Sequence, residues 1–180
     1  MIIRVTQKLA KKIKVAPPTA LPRDPNPFAD WTANLFTTHR TQYIILTNSA
    51  SLYSIIFYGR GITEGDIFID HAFSALSDQM RDAGYGAIFE KHIAPLAGEF
   101  SFSKTGDRSL LGSMNDHVRC ASVHLEYVEE SLAAVAFKLN ETPMGALDYR
   151  YPQNILEMLA GMPTEKKRPS AKIIPFPRKP

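Results

Sequence analysis

The sequence contains one cysteine, Cys120, and lacks any long uninterrupted run of apolar residues. A single cysteine excludes a disulfide within the chain and is typical of proteins from a reducing compartment. No segment approaches the roughly 18 consecutive apolar residues that a transmembrane helix needs. Basic residues also interrupt the apolar residues near the N-terminus, whereas a secretory signal peptide has a continuous apolar core. We therefore expect a cytoplasmic protein that does not associate with a membrane.

The sequence also lacks the glycine patterns of P-loop and Rossmann proteins and the CxxC and HExxH spacings of zinc sites. Three potential metal ligands, His117, Cys120 and His124, lie three and four residues apart in a segment with helical periodicity. On a helix the two histidines would project within about 20° of each other, but Cys120 would point away from both. No fourth ligand is evident. We therefore expect no metal and no cofactor.

Acidic residues are nearly missing from both ends of the chain. Residues 1–15 carry five basic side chains and no acid, and residues 165–180 carry six basic side chains and one acid. Each end therefore has a charge of +5, and the net charge of +3 leaves −7 for the residues between them. Basic ends favour contact with phosphate or with an acidic partner. We predict a nucleic acid or acidic protein partner, bound through Lys8, Lys11, Lys12, Lys166, Lys167 and Arg168.

Proline is concentrated in two segments. Residues 15–28 contain five prolines and should form an extended connector, because proline lacks a backbone N–H and has a fixed φ. Residues 163–180 are rich in proline and basic residues, and we expect a disordered tail there in isolation. Its segment 172–176, KIIPF, is apolar enough to dock onto another surface. Residues 1–162 should form a single domain, long enough to bury a core.

The periodicity of apolar residues predicts an α+β fold. We expect an antiparallel sheet of about four to five strands, covered on one face by several helices, because short connections between the central strands favour hairpins. The predicted strands are 2–5, 31–37, 42–48, 51–58 and 99–103. The predicted helices are 6–14, 66–83, 86–97, 107–129, 131–139 and 152–159.

Residues 104–118, KTGDRSLLGSMNDHV, place charged and hydroxyl side chains at a predicted helix start. The free amides of a helix start attract anions, so a phosphate or carboxylate site is one interpretation. Its residues would be Lys104, Thr105, Arg108, Ser109 and Asn115. In the other interpretation Asp107 caps the helix and occupies these amides itself. Gly112, in the middle of the helix, suggests the close approach of another backbone element.

Aromatic residues follow the predicted strands and allow two interpretations. Tyr43, Tyr53, Phe57 and Tyr58 could form a face on which single-stranded nucleic acid stacks its bases. Both faces of these strands are apolar, however, which is typical of strands that are buried on both sides. We therefore expect these aromatic residues to belong to the core.

Several separated motifs are similar to those of an uncharacterised bacterial family, a domain of unknown function. They are MIIRVTQKL, DWTANL followed by ILTN, SKTGDRSLLGSMND, and LNETPM ahead of YRYP, and together they span roughly residues 1–155. The resemblance implies an intracellular bacterial protein and assigns no catalytic residues. His117, Cys120 and His124 lie outside the shared motifs, which also argues against a metal site. The proline-rich connector and the tail depart from the family's pattern.

Three functions agree with these observations. We favour a non-enzymatic binding or regulatory module that contacts nucleic acid or a protein partner through its basic ends, because no catalytic constellation is recognisable. An enzyme or sensor would instead bind a phosphate-bearing ligand at residues 104–115. A protein-interaction element of a mobile-element or host-conflict system would carry an exposed apolar patch.

Overall fold

The computed structural model describes residues 1–127 and 130–162, and the predicted tail at 163–180 lies outside the described residues. The described strands are β1 (Ile2–Val5), β2 (Asp30–Thr38), β3 (Thr41–Asn48), β4 (Ser54–Tyr58) and β5 (Ser101–Lys104). The α-helices are α1 (Gln7–Lys12), α2 (Gly65–Asp82), α3 (Gly86–Ile88), α4 (Arg108–Tyr127), α5 (Leu132–Asn140) and α6 (Pro152–Leu159). A π-helical segment (Phe89–Ile93) and a 3-10 turn (Ala94–Leu96) follow α3, and a second 3-10 turn (Gly145–Leu147) precedes α6. None of the helices in this part of the chain has both the length and the apolar character that crossing a membrane demands.

The strands form one sheet in the order β4-β3-β2-β1-β5. Strands β2, β3 and β4 pair antiparallel, as the hairpin pattern predicted, but β1 runs parallel to both of its neighbours. The α+β class is therefore confirmed, while the sheet is mixed and not antiparallel. The difference arises because α1 and the proline-rich connector separate β1 from β2, and a long connection of this kind permits parallel pairing.

Helices cover both faces of the sheet, where the sequence predicted cover on one face. The first face packs against α1, α2, the helical region that starts at α3, and α6, in a core that includes Trp31, Phe68 and Leu156. On the second face Ile45 and Ile56 pack against residues of α4 and α5. The sequence signal for this arrangement was present, because strands covered on both faces contain consecutive apolar residues.

The turn between β3 and β4 is longer than the sequence predicted, so β4 begins at Ser54 and not at residue 51. Asn48 organises the turn, because its Oδ1 accepts hydrogen bonds from the backbone N–H groups of Ala50 and Ser51, at 3.1 and 2.9 Å, and from Ser51 Oγ. Leu52 adopts a left-handed backbone conformation with φ of 60°, which a strand residue does not have. The local polar bonds therefore override the β propensity of this segment.

Two side-chain amides satisfy the outer edge of β4, the strand at one end of the sheet. Asn140 Oδ1 accepts from Ser54 N and Asn140 Nδ2 donates to Ser54 O, both at 2.8 Å. Gln79 repeats this pairing with Ile56, where its Nε2 donates to the carbonyl oxygen at 2.7 Å. Alternate residues of an edge strand point their backbone N–H and C=O groups away from the sheet. When these groups have no partner, they can pair with a strand of another chain. The two amides therefore hold α5 and α2 against the sheet and satisfy its edge.

We expect Asn140→Ala to lower the free energy of unfolding by about 3 kcal/mol, because it leaves the buried N–H and C=O of Ser54 without partners. Urea denaturation followed by circular dichroism measures this loss. The matched control is Asn115→Ala on the exposed surface of α4, which should change the stability by no more than about 0.5 kcal/mol. Equal effects of the two substitutions would show that the Asn140 amide does not stabilise the edge strand.

Candidate functional site

The start of α4 is capped by Asp107. Its Oδ1 accepts from the backbone N–H groups of Ser109 and Leu110 at 2.9 and 3.0 Å, and its Oδ2 accepts from Arg23 Nη2 at 2.7 Å. The bond from the Leu110 N–H and the Arg23 guanidinium hold the pKa of Asp107 below its ordinary value. A carboxylate thus already occupies the amides that an anion would use.

The five residues of the predicted anion site lie around this cap. Thr105 is half-buried, while Lys104, Arg108, Ser109 and Asn115 are exposed. Asn115 follows Arg108 by seven residues, which is about 10 Å along the helix axis. Lys104 ends β5, and its backbone N–H donates to the carbonyl of Thr19 in the connector. The anion hypothesis for this segment stays a prediction.

Within residues 1–127 and 130–162 no backbone element approaches Gly112 closely, so the expectation is wrong for the described part of the chain. A Cβ placed on Gly112 would have no heavy atom of the described neighbouring structure within 4 Å, and the residue is exposed. Glycine costs a helix interior about 1 kcal/mol relative to alanine. The described packing therefore gives no structural reason for this cost.

The three potential metal ligands on α4 lie in different surroundings. The side chain of His117 is buried, Cys120 is exposed, and the half-buried His124 faces Glu130, with 3.5 Å between Nδ1 and Oε2. Within residues 1–127 and 130–162, no group of three or more histidine, cysteine, aspartate or glutamate side chains is arranged to hold a metal ion.

A row of buried polar side chains crosses the second face of the sheet, and the sequence analysis did not identify it. Each member is in register with the next on the neighbouring strand, and all are at most 6% exposed. In sheet order the members are Ser103, Arg4, Thr32, Thr47 and Ser54. Serines and threonines at apolar strand positions were the available signal, but only the strand register shows that they lie side by side.

His117 of α4 closes this row. Ser54 Oγ lies 2.8 Å from Thr47 Oγ1 and 2.9 Å from His117 Nδ1, and it donates to the carbonyl of Leu52 at 3.0 Å. Burial lowers the pKa of His117 to about 4, so the imidazole is neutral at pH 7. Among the described residues, His117 Nε2 and Thr32 Oγ1 have no hydrogen-bond partner. Because the group is closed to solvent, the geometry supports a role in positioning α4 on the sheet.

Basic residues gather at one end of the sheet, where the β2–β3 hairpin turns and where β4 and α1 end. Lys12 Nζ donates to Gln42 Oε1 at 2.7 Å, and the N–H of Gly59 donates to the carbonyl of Gln42 at 2.8 Å. These bonds bring α1, β3 and the residue after β4 together. We call this surface the basic end; its cations are Lys8, Lys11, Lys12, Arg40 and Arg60, of which Lys12 is half-buried and the others are exposed.

The cations of the basic end have no ion pair among the described residues. Two acids beside them already have partners: Glu64 lies 3.4 Å from Lys14 Nζ, and Glu126 lies 3.5 Å from His39 Nε2. The sequence identified the three lysines through their position near the N-terminus. It did not identify Arg40 and Arg60, since only the folded hairpin and the end of β4 bring them beside α1.

The aromatic residues of the strands belong mainly to the core, as expected. Tyr43, Tyr53 and Phe57 are 8%, 2% and 6% exposed, whereas Tyr58 is 58% exposed. Tyr58 is the last residue of β4 and lies two positions before Arg60, so it adds one accessible aromatic ring to the basic end. A stacking surface formed by several aromatic residues is not present on this sheet.

Comparison with known proteins gives one match. The family model described as "Domain of unknown function (DUF6933)" matches residues 2–155, which is most of the chain. No curated protein and no solved structure matches the chain significantly. The family model therefore agrees with the resemblance seen in the sequence motifs.

We predict that stability falls as the pH is lowered from about 6.5 to about 4, because His117 must be neutral in the folded protein. Its pKa is about 4 in the folded state, against 6.5 for a histidine in water, so the unfolded chain binds more protons in this range. The resulting slope is at most about 1.4 kcal/mol per pH unit. Urea unfolding at a series of pH values measures it.

The control for this prediction is His117→Gln, which should be less stable at pH 7 and should lack this part of the pH dependence. Other groups, including His92, titrate in both proteins, so the difference between the two curves isolates His117. Parallel curves for the two proteins would contradict the assignment.

We also expect Gly112→Ala to raise the free energy of unfolding by up to about 1 kcal/mol, because alanine favours the helix and the added methyl group meets open space. Thermal unfolding of the two proteins tests the expectation. A loss of stability would show that Gly112 is required by a contact that the described residues do not include.

Proposed function

For a chain that belongs to the family "Domain of unknown function (DUF6933)", whose description names no activity, we propose a non-enzymatic binding or regulatory module that contacts nucleic acid through the basic end. The proposal rests on the placement of the five basic-end cations on α1, on the β2–β3 turn and just after β4, which are elements that meet at Gln42. Lysine and arginine side chains that are free to reach phosphates supply most of the sequence-independent affinity for nucleic acid.

The charge distribution supports the proposal. Residues 16–164 have a net charge of −7, so a cationic surface formed by α1 and the hairpin contrasts with the rest of the domain. A nucleic acid is thereby oriented toward one end of the sheet and repelled elsewhere. The exposed ring of Tyr58 adds a position where an unpaired base can stack. The tail cations Lys166, Lys167 and Arg168 lie outside the described residues and would extend the contact.

Two other functions have less support. An enzyme or sensor that binds a phosphate-bearing ligand at residues 104–115 would have to displace the Asp107 carboxylate from the amides of Ser109 and Leu110. An acidic protein partner would bind at the same basic end in place of nucleic acid. We propose a cytoplasmic location, since Cys120 is exposed and a reducing compartment keeps such a thiol free.

The test is a salt titration of binding to labelled single-stranded and double-stranded nucleic acid of mixed sequence, followed by fluorescence anisotropy. We expect the triple variant Lys8→Gln, Lys11→Gln, Arg60→Gln to bind more weakly. The slope of log affinity against log salt should become shallower by about 3 on duplex, near 1 for each lost phosphate contact.

The matched control is the triple variant Lys91→Gln, Arg119→Gln, Arg150→Gln, which has the same net charge and changes exposed cations on other surfaces. Equal weakening by both triples would mean that net charge alone matters and would contradict a site at the basic end. A third variant, with Lys166, Lys167 and Arg168 changed to glutamine, measures how much of the affinity for nucleic acid the tail contributes. If the unmodified protein binds neither form of nucleic acid, the nucleic acid proposal fails and the acidic protein partner becomes the proposal to test.

A further inference from the structure

An apolar groove lies between α2 and α5, beside the N-terminal end of β4. It encloses about 180 Å³ and is lined by Ala133, Ala134, Phe137, Ala83, Asp82 and the ring of Tyr53, among others. The alanines of α5 leave the groove open because their methyl side chains are too small to fill it. Phe137 forms one wall and is 44% exposed, so its ring is accessible to a bound segment.

One acidic side chain lines this groove, and two more lie close to Tyr85, whose ring contacts the lining residue Tyr53. Asp82 lines it at the C-terminal end of α2, and Glu141 follows α5, where its backbone N–H donates to the carbonyl of Phe137 at 3.1 Å. Glu157 of α6 accepts a hydrogen bond from Tyr85 Oη at 2.8 Å, and the Tyr85 ring contacts the edge of Tyr53 with 5.8 Å between centroids. The groove therefore combines an apolar floor with an acidic rim, which fits a segment that is both apolar and basic.

The described part of the chain ends close to Glu157, and Tyr85 connects Glu157 to the lining residue Tyr53. The backbone N–H of Met162 donates to the carbonyl of Glu157 at 3.0 Å, and Glu157 contacts Tyr85, two positions after Ala83. Eighteen residues follow Met162, and eleven positions separate it from Ile173. Eleven residues can span up to about 36–40 Å, which is long enough for the apolar residues of the tail to reach the groove from Met162.

We propose that the groove binds the chain's own C-terminal segment, with Ile173, Ile174 and Phe176 on the apolar floor and the flanking cations Lys172 and Arg178 against the acidic rim. The tail has the required composition, since it places its three large apolar residues between basic residues. Burial of apolar side chains supplies the affinity. The attraction between the basic segment and the acidic rim supplies the specificity. The segment and the groove belong to one molecule, so docking does not lose the translational freedom that binding a second chain would cost.

The test places a spin label on the tail and observes the groove by nuclear magnetic resonance. The full chain carries Cys120→Ser, so that Ala171→Cys provides the single attachment site for the label. We expect the amide signals of Ala83, Ala133 and Ala134 to lose intensity through paramagnetic relaxation, and signals of the basic end to keep theirs. Uniform weak broadening, or broadening centred on another surface, would overturn the proposal.

Two variants and a mixing experiment sharpen the result. Phe137→Arg puts a cation into the groove wall and should restore the signals. The control Val123→Arg changes another exposed apolar residue, on α4, and should not restore them. The double variant Ile173→Asp with Ile174→Asp should also restore the signals. Its changes lie outside the described residues, so the result does not depend on the folding of a groove variant.

A mixing experiment tests whether docking occurs within one chain. In a mixture of isotope-labelled chains without a spin label and unlabelled chains that carry one, the groove signals should persist. Their loss there would assign the groove to a second copy and would overturn docking within one chain.

Discussion

The buried ion pair between Arg4 and Asp30 is the interaction on which most of this arrangement depends. Arg4 Nε and Nη2 donate to the two carboxylate oxygens of Asp30 at 2.8 and 2.7 Å, and both residues are at most 6% exposed. Burial alone would raise the pKa of Asp30, but hydrogen bonds from Arg4, from Ser49 Oγ and from the N–H of Asp24 hold it below its ordinary value. A buried pair is costly unless its remaining polar groups are satisfied, and these additional bonds satisfy them.

The same pair fixes the second face of the sheet. Arg4 Nη1 and Nη2 donate to the carbonyls of Leu21 and Pro22, so the guanidinium holds the connector, which has few N–H groups of its own for such contacts, across the face. The connector then supplies Arg23, which binds Asp107 at the start of α4. These contacts connect β1 through the connector to the start of α4, the helix whose His117 contacts Ser54. The strand pairing of β1, the course of the connector and the polar row therefore all involve Arg4.

This dependence explains what could be predicted from the sequence. Helices α2 and α4 follow from their own apolar spacing, and the β2–β3 hairpin follows from a short connection, because each signal is local. The parallel pairing of β1 has no local signal, since it depends on a contact between residues 4 and 30. The basic end shows the same limit: Lys8, Lys11 and Lys12 are neighbours in sequence, while Arg40 and Arg60 join them only after folding. Asp107 was identified as a cap because a cap acts within four residues.

Charge also separates the molecule into two ends. Strand β4 begins at Ser54, next to Tyr53 of the acidic groove, and ends at Tyr58, two residues before Arg60 of the basic end. The acidic groove and the basic end therefore lie at opposite ends of this strand. In the proposed docking, a cationic tail would be attracted to the acidic rim and repelled by the basic end. Nucleic acid at the basic end would attract Lys166, Lys167 and Arg168, and the chain that connects them to Lys172 and Arg178 would then be drawn away from the acidic rim. Docking of the tail and binding of nucleic acid should therefore oppose each other, which would make the tail a means of regulating the basic end.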